Sequence, residues 1–97
     1  MSLGEGDIAF AMDLFADLGA LTYRKMFGGL CLYHDGTVFA LQSSEGRLYL
    51  KTRDPAAIFG ETTAQFHSMP YYALPEDVLD DPDRACACAR QALADLP

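Results

Sequence analysis

The sequence predicts a two-layer α+β sandwich, in which an antiparallel sheet of about four strands plus one carries its helices on one face. Two observations lead to this prediction. Amphipathic patterns of period 3.6 mark both ends of the chain, and between them four short runs rich in β-branched, aromatic and leucine residues are separated by glycine-containing turns. The 97 residues are 51% hydrophobic and 22% charged, which is typical of one folded domain spanning 1–97. The predicted order is α-β-β-β-β-α-β-α.

The first helix is predicted to begin with Asp7 as its N-cap and to reach about Asp17. Its apolar residues fall on one arc and its acidic residues on the other, as in a surface helix that packs on a sheet. Gly19 is a suitable end. Residues 1–4 are expected to lie outside the fold, as a disordered stretch or a remnant of expression.

A meander of four strands follows the first helix. The strands are predicted over residues 21–26, 30–34, 38–42 and 47–52. Gly28-Gly29, Asp35-Gly36 and Glu45-Gly46 separate them, and Asp-Gly between alternating runs is a strong signal for a tight hairpin. Phe27, Gly28 and Gly29 are therefore interpreted as structural residues of the first turn.

The second half of the chain returns to helices. Asp54-Pro55 predicts a short helix that ends at Gly60, with Asp as the cap and Pro at the first helical position. Residues 62–68 show no clear pattern. A further strand is predicted over residues 69–74, at an edge of the sheet because Pro70 has no amide hydrogen to donate.

Two more helical segments complete the chain. Pro75 precedes one helical turn and is interpreted as a structural residue. Asp81 is the predicted cap of a final helix, with Pro82 in its first position, that runs to about Leu96. Its small buried residues indicate close contact with the sheet.

The net charge of −7 opposes general binding to nucleic acid or to an anionic membrane. The charge is unevenly distributed, however. Five of the seven basic residues and two of the acidic residues lie between positions 24 and 53, so this stretch carries +3. We also find no run long enough to cross a bilayer and no secretory signal, and three cysteines without framework spacing indicate free thiols in a reducing cytoplasm.

The basic stretch supplies the candidate interaction residues. Strand alternation places Arg47, Tyr49, Lys51 and Arg53 on one face, with Leu48 and Leu50 toward the core. Arg24 and Lys25 are expected to extend this basic, aromatic surface. Such a face is typical of a protein-binding or homodimer surface, and the alternative is stacking of single-stranded nucleic acid.

The cysteines and the acidic cluster near the last helix are interpreted as structural residues. Cys86 and Cys88 lie two apart on a helix and point in different directions, so they cannot chelate one metal. The acidic cluster around Asp81 lacks the glycine and spacing of a calcium loop. No catalytic residues, metal or cofactor are predicted. A small enzyme that uses Cys31, His34 or His67 is the remaining alternative.

Several motifs together resemble the TfoX/Sxy N-terminal domain family. They are Thr22–Gly29 (TYRKMFGG), Asp35-Gly36, Phe39-Ala40, Arg47–Lys51 (RLYLK), Tyr71–Pro75 (YYALP) and Asp81-Pro82. The resemblance runs from about residue 5 to 96. It implies a bacterial, cytoplasmic, non-enzymatic regulator of natural competence that acts beside the cyclic-AMP receptor protein. On these grounds the expected partner is a protein of the transcription machinery or a second copy of the chain, and the candidate contacts are Arg24, Lys25, Arg47, Tyr49 and Lys51.

Overall fold

The computed structural model describes residues 3–26 and 28–96. Phe27, to which the sequence gives a structural role, lies outside the described residues. The strands are β1 (Leu21–Met26), β2 (Gly29–His34), β3 (Thr37–Gln42), β4 (Leu48–Lys51) and β5 (Tyr71–Ala73), and the helices are α1 (Glu5–Leu14), α2 (Pro55–Phe59), α3 (Glu76–Leu79) and α4 (Pro82–Ala94). The predicted order is confirmed, with α3 as the single helical turn after Pro75.

The sheet is an antiparallel meander in which strands adjacent in sequence are adjacent in space, in the order β1-β2-β3-β4-β5. The Asp35-Gly36 hairpin is confirmed, because both residues have positive φ, 49° and 81°, as a type I′ turn requires. In the next hairpin Gly46 has φ 90° and donates its N–H to the carbonyl of Ser43. Ser43 N–H also donates to the Arg47 carbonyl, so residues 44–46 form a three-residue loop that places its glycine where a left-handed residue is needed.

The first glycine pair has two separate structural roles. Gly28 has φ 79°, a conformation that favours glycine. Gly29 lies so close to β3 that a Cβ atom there would stand 2.5 Å from the carbonyl oxygen of Gln42. Glycine at both positions therefore follows from the geometry of the β1–β2 turn and of the neighbouring strand.

The helices cover one face of the sheet, here called the helix face. Alternate residues of the strands point toward it and form the core with α1, α2 and α4; those from the strands are Leu30, Leu32, Phe39, Ala40, Leu48 and Leu50. A β-bulge between β2 and β3 places Phe39 and Ala40 in the core together. The Phe39 ring meets Phe15 edge-on, with centroids 5.1 Å apart.

The ends of α1 differ from the prediction. Gly4, and not Asp7, is the N-cap, and the Asp7 carboxylate accepts the N–H of Gly4 from inside the helix. The helix also ends earlier, at Leu14, and a 3₁₀ turn follows over Ala16–Leu18. Leu3, expected outside the fold, donates its N–H to the Gly28 carbonyl and packs against the core.

The caps predicted for α2 and α4 are confirmed. The Asp54 side chain accepts the N–H of Ala57, and Gly60 ends α2 in the left-handed conformation. The Asp81 side chain accepts the N–H groups of Asp83 and Arg84 at the start of α4. Pro75 is the N-cap residue of α3, and its carbonyl accepts from Val78 and Leu79.

Candidate functional site

The sheet face opposite the helices, here called the groove face, carries the candidate site. Cross-strand partners in a sheet point to the same side. One row of partners on the groove face crosses all five strands and consists of Arg24, Cys31, Leu41, Tyr49 and Ala73. Lys51 and its partner Tyr71 lie on the same face, next to this row.

The sequence had suggested that Tyr49 is open to solvent on this face, but the structure shows that it is buried. It is 8% exposed, because Phe66 lies over it with ring centroids 5.0 Å apart. The segment that holds Phe66 is bonded to the outer edge of β5: Phe66 N–H donates to the Tyr71 carbonyl, and Ala73 N–H donates to the Ala64 carbonyl. Residues 62–68, which showed no clear pattern, therefore lie beside β5 and place the Phe66 ring over part of the groove face.

The uncovered part of this face forms an apolar groove of about 510 Å³. Cys31, Leu41 and Tyr71 point from the strands into its floor. Its rim includes Phe66 and two exposed methionines, Met26 at 44% and Met69 at 45% exposure. Volume and apolar lining are in the range of sites that bind a small molecule or a peptide side-chain cluster.

The basic residues do not form one continuous patch. Arg24 and Lys25 are adjacent in a strand and therefore point to opposite faces, and Lys25 shares the helix face with its partner Leu30. Arg24 lies on the groove face, about 14 Å from β4 because two strands intervene. Arg53 turns away and donates to the Asp95 carbonyl at the end of α4.

Arg47 and Lys51 remain on the groove face. The Arg47 guanidinium lies 5.7 Å from the centroid of the Tyr49 ring, within cation–π range. Lys51 is half-buried beside Tyr71. Arg24 is thus one strand away from the groove floor, beside Cys31, and Arg47 is next to Tyr49, the cross-strand partner of Leu41 in the floor. Neither arginine is among the described residues that line the groove.

Burial disfavours the thiolate form, which is the nucleophile, at the three cysteines. Burial raises the pKa of Cys31, so its thiol carries less negative charge at neutral pH than a free cysteine. Its sulfur lies 4.0 Å from that of Met26. The Cys86 and Cys88 thiols point in different directions, toward the carbonyls of Leu14 and Ile58, and burial raises the pKa of both.

The two histidines lie apart in structure and role. The His34 ring bonds through Nδ1 to the carbonyl of Gly19, at 2.8 Å. His67 lies at the groove rim with φ 53°, and its ring stands edge-on to Phe66. Within residues 3–26 and 28–96 we find no cluster of three His, Cys, Asp or Glu side chains arranged to hold a metal ion.

A family model, the TfoX N-terminal domain, matches residues 13–96. The chain belongs to this family. The match includes all five strands, residues 62–68 beside β5, and α4. The groove face of this TfoX N-terminal domain therefore lies inside the matched region. No curated protein sequence matches the chain. In the described part of the domain, no helix is long and apolar enough to span a membrane.

Sequence reasoning singled out Arg24 and Arg47, which lie near the groove, but it did not predict the groove, its floor or its rim. Cys31 and Leu41 look like ordinary strand residues, and only the register places them beside each other. Phe66 and Met69 were the available signal, because large apolar residues in an otherwise polar loop usually cover something.

Proposed function

We propose that this TfoX N-terminal domain is a non-enzymatic regulatory domain of bacterial transcription control, related to competence, that acts in the cytoplasm by binding a protein partner in the groove. Family membership supports the regulatory role. The observation that carries the binding mode is the apolar groove, with two exposed methionines on its rim. Methionine side chains adapt to the shape of a partner and are common on such binding surfaces.

The charges around the groove indicate the chemistry of the partner. Arg24 is the cross-strand partner of the floor residue Cys31, and Arg47 lies over Tyr49, which is the partner of the floor residue Leu41. Glu45 is the acidic residue among the described lining residues. Most of the acidic side chains of the domain lie elsewhere in a chain of net charge −7. An apolar segment that carries acidic side chains fits this arrangement, because the arginines then pair with carboxylates at the edge of an apolar contact.

Two features make the alternatives less suitable. Stacking of nucleic-acid bases needs exposed aromatic rings, and the central ring, Tyr49, is covered by Phe66. A cysteine enzyme needs a thiolate, and burial raises the pKa of Cys31. We therefore favour protein binding over both.

The test compares matched variants for binding to purified transcription proteins, a cyclic-AMP receptor-type regulator and RNA polymerase, by titration calorimetry. Arg24→Glu reverses a charge beside the groove, and Lys25→Glu makes the same change one residue along on the helix face. We expect Arg24→Glu to weaken binding by about tenfold or more, as loss of an interfacial charge pair does, and Lys25→Glu to leave it nearly unchanged.

A second pair of variants tests the apolar rim. Met69→Glu places an acid at the groove, whereas Phe10→Glu places one at a similarly exposed position on α1. The proposal predicts that Met69→Glu weakens binding and that Phe10→Glu does not. Equal effects of the two variants in either pair, or no binding to any of these proteins, would contradict it. Binding of single-stranded DNA that falls steeply with salt would instead assign the alternative function.

A further inference from the structure

The strand β1 is an edge of the sheet, and within residues 3–26 and 28–96 no backbone hydrogen bond reaches its outer side. Five of its six residues are exposed and the sixth is half-buried. The opposite edge, β5, is different, because residues 64 and 66 bond to its outer side and Thr63 Oγ1 donates to the Ala73 carbonyl. An uncovered edge strand presents amide and carbonyl groups that can pair with another strand.

The hydrogen-bond phase of β1 shows which groups point outward. Asp35 N–H donates to the Ala20 carbonyl, so positions 20 and 35 are a hydrogen-bonded pair. In an antiparallel ladder such pairs recur at every second residue, which makes Thr22, Arg24 and Met26 the residues bonded to β2. The amides and carbonyls of Leu21, Tyr23 and Lys25 therefore point away from the sheet.

We propose that β1 pairs with β1 of a second copy of this chain, antiparallel and with the two-fold axis at Tyr23. Three facing pairs then form, Tyr23 with Tyr23 and Leu21 with Lys25 twice. Each pair exchanges two hydrogen bonds, which gives about six in all. The two meanders become one continuous sheet with both helix layers on the same side.

The basic residues of β1 select this register. With the axis at Arg24 or Lys25, that residue would stand directly opposite its own copy, which is destabilising. With the axis at Thr22, only two facing pairs fall within the strand. With the axis at Tyr23, Arg24 stands opposite Thr22 and Lys25 opposite Leu21, so no like charges are directly opposed.

A six-residue edge is small compared with a standard interface of about 800 Å² on each partner, so the dimer is expected to depend on concentration. Sedimentation equilibrium of the full chain over a concentration series measures it. Tyr23→Lys places two ammonium groups opposite each other at an exposed position, and we expect the dimer to weaken by at least about tenfold. Thr37→Lys, also exposed but away from β1, is the control and should leave the dimer intact. A chain that remains monomeric throughout, or equal effects of both variants, would overturn the proposal.

Disulfide trapping tests the register independently. In a Cys31→Ser background, Tyr23→Cys should form a disulfide-linked dimer on mild oxidation, because the two Cα atoms would lie about 5.5 Å apart. Lys25→Cys, on the same edge and pointing to the same side, should not, because its Cα atoms would lie about 14 Å apart. Cross-linking of Lys25→Cys in place of Tyr23→Cys would overturn the proposed pairing.

Discussion

Phe66 covers Tyr49 with their ring centroids 5.0 Å apart and an angle of 61° between the rings. This contact joins an irregular loop to the fourth strand, and it divides the groove face into a covered part and an open part. Leu41, Tyr49, Tyr71 and Ala73 pack with Phe66 as a second, smaller core at this boundary, and Leu41 and Tyr71 also form part of the groove floor. The domain therefore has packed side chains on both faces of its sheet, although only one face has helices.

The first prediction concerns this smaller core. We expect Phe66→Ala to lower the free energy of unfolding by about 1–2 kcal/mol, because a half-buried ring that packs against Tyr49 is lost. Urea denaturation followed by circular dichroism measures the change. Phe10→Ala is the matched control, since Phe10 is 48% exposed on α1, and its effect should stay within about 0.5 kcal/mol. Equal effects of the two substitutions would show that Phe66 does not pack as described.

The second prediction concerns the close approach at Gly29. A Cβ atom there would stand 2.5 Å from the Gln42 carbonyl oxygen, so Gly29→Ala must push β2 and β3 apart. We expect a loss of about 2 kcal/mol or more in unfolding free energy. Gly6→Ala is the control, because nothing lies within 4 Å of its added Cβ and Gly6 is inside α1. That control should stabilise the domain by up to about 1 kcal/mol, so thermal melting should shift in opposite directions for the two variants.

The third prediction concerns the cap of α4. Asp81 accepts two backbone N–H groups, at 3.1 and 3.3 Å, and Asp81→Ala leaves both without this partner. The expected cost is about 1 kcal/mol, measured by chemical denaturation. Asp80→Ala makes the same substitution one residue earlier, at an exposed acid that caps no helix N-terminus in the described structure, and should have little effect.

The fourth prediction is a loss of stability at alkaline pH. Burial raises the pKa of all three thiols and of the Tyr71 phenol in the folded state. The unfolded chain releases these protons first, so it binds fewer protons than the folded chain, and stability falls as pH rises. The fall should begin near the ordinary thiol pKa of about 8.5 and continue through the folded-state values.

Cys88→Ala tests this assignment. The variant should show a shallower fall of unfolding free energy above about pH 8.5, because one of the titrating groups is gone. Between pH 6 and 8 the difference between variant and parent should be constant, which provides an internal control. A slope unchanged by the substitution would mean that the Cys88 thiol does not contribute to the alkaline transition.

Local patterns in the sequence were sufficient for the meander and for most helix ends. The Asp35-Gly36 turn, the Asp54 and Asp81 caps and the Gly60 stop each depend on a few neighbouring residues, and all are confirmed. The predicted start of α1 was wrong. Asp7 can cap a helix as the residue before it, or it can accept the N–H of Gly4 from inside the helix, and the sequence permits both.

Features that depend on distant residues could not be predicted in the same way. The loop that carries Phe66 is held by backbone bonds to β5, and its own residues have no strand pattern. For this reason the prediction that Tyr49 is exposed was wrong. The groove likewise exists only once the register brings Cys31 beside Leu41 and the loop comes to rest near them.

The placement of α4 has a consequence for how the domain is made. The Cys86 thiol contacts the Leu14 carbonyl, and Arg90 donates to the Asp17 carbonyl. The last helix, α4, therefore packs against α1 and the turn that follows it, although all five strands lie between them in the sequence. On the ribosome the meander, whose strands pair only with sequence neighbours, can assemble first. The helical layer has to wait, because α1 remains without its partner until translation has passed residue 90. A stall or truncation before that point would leave a paired sheet with part of its apolar face uncovered, and exposed apolar surface of this kind favours aggregation.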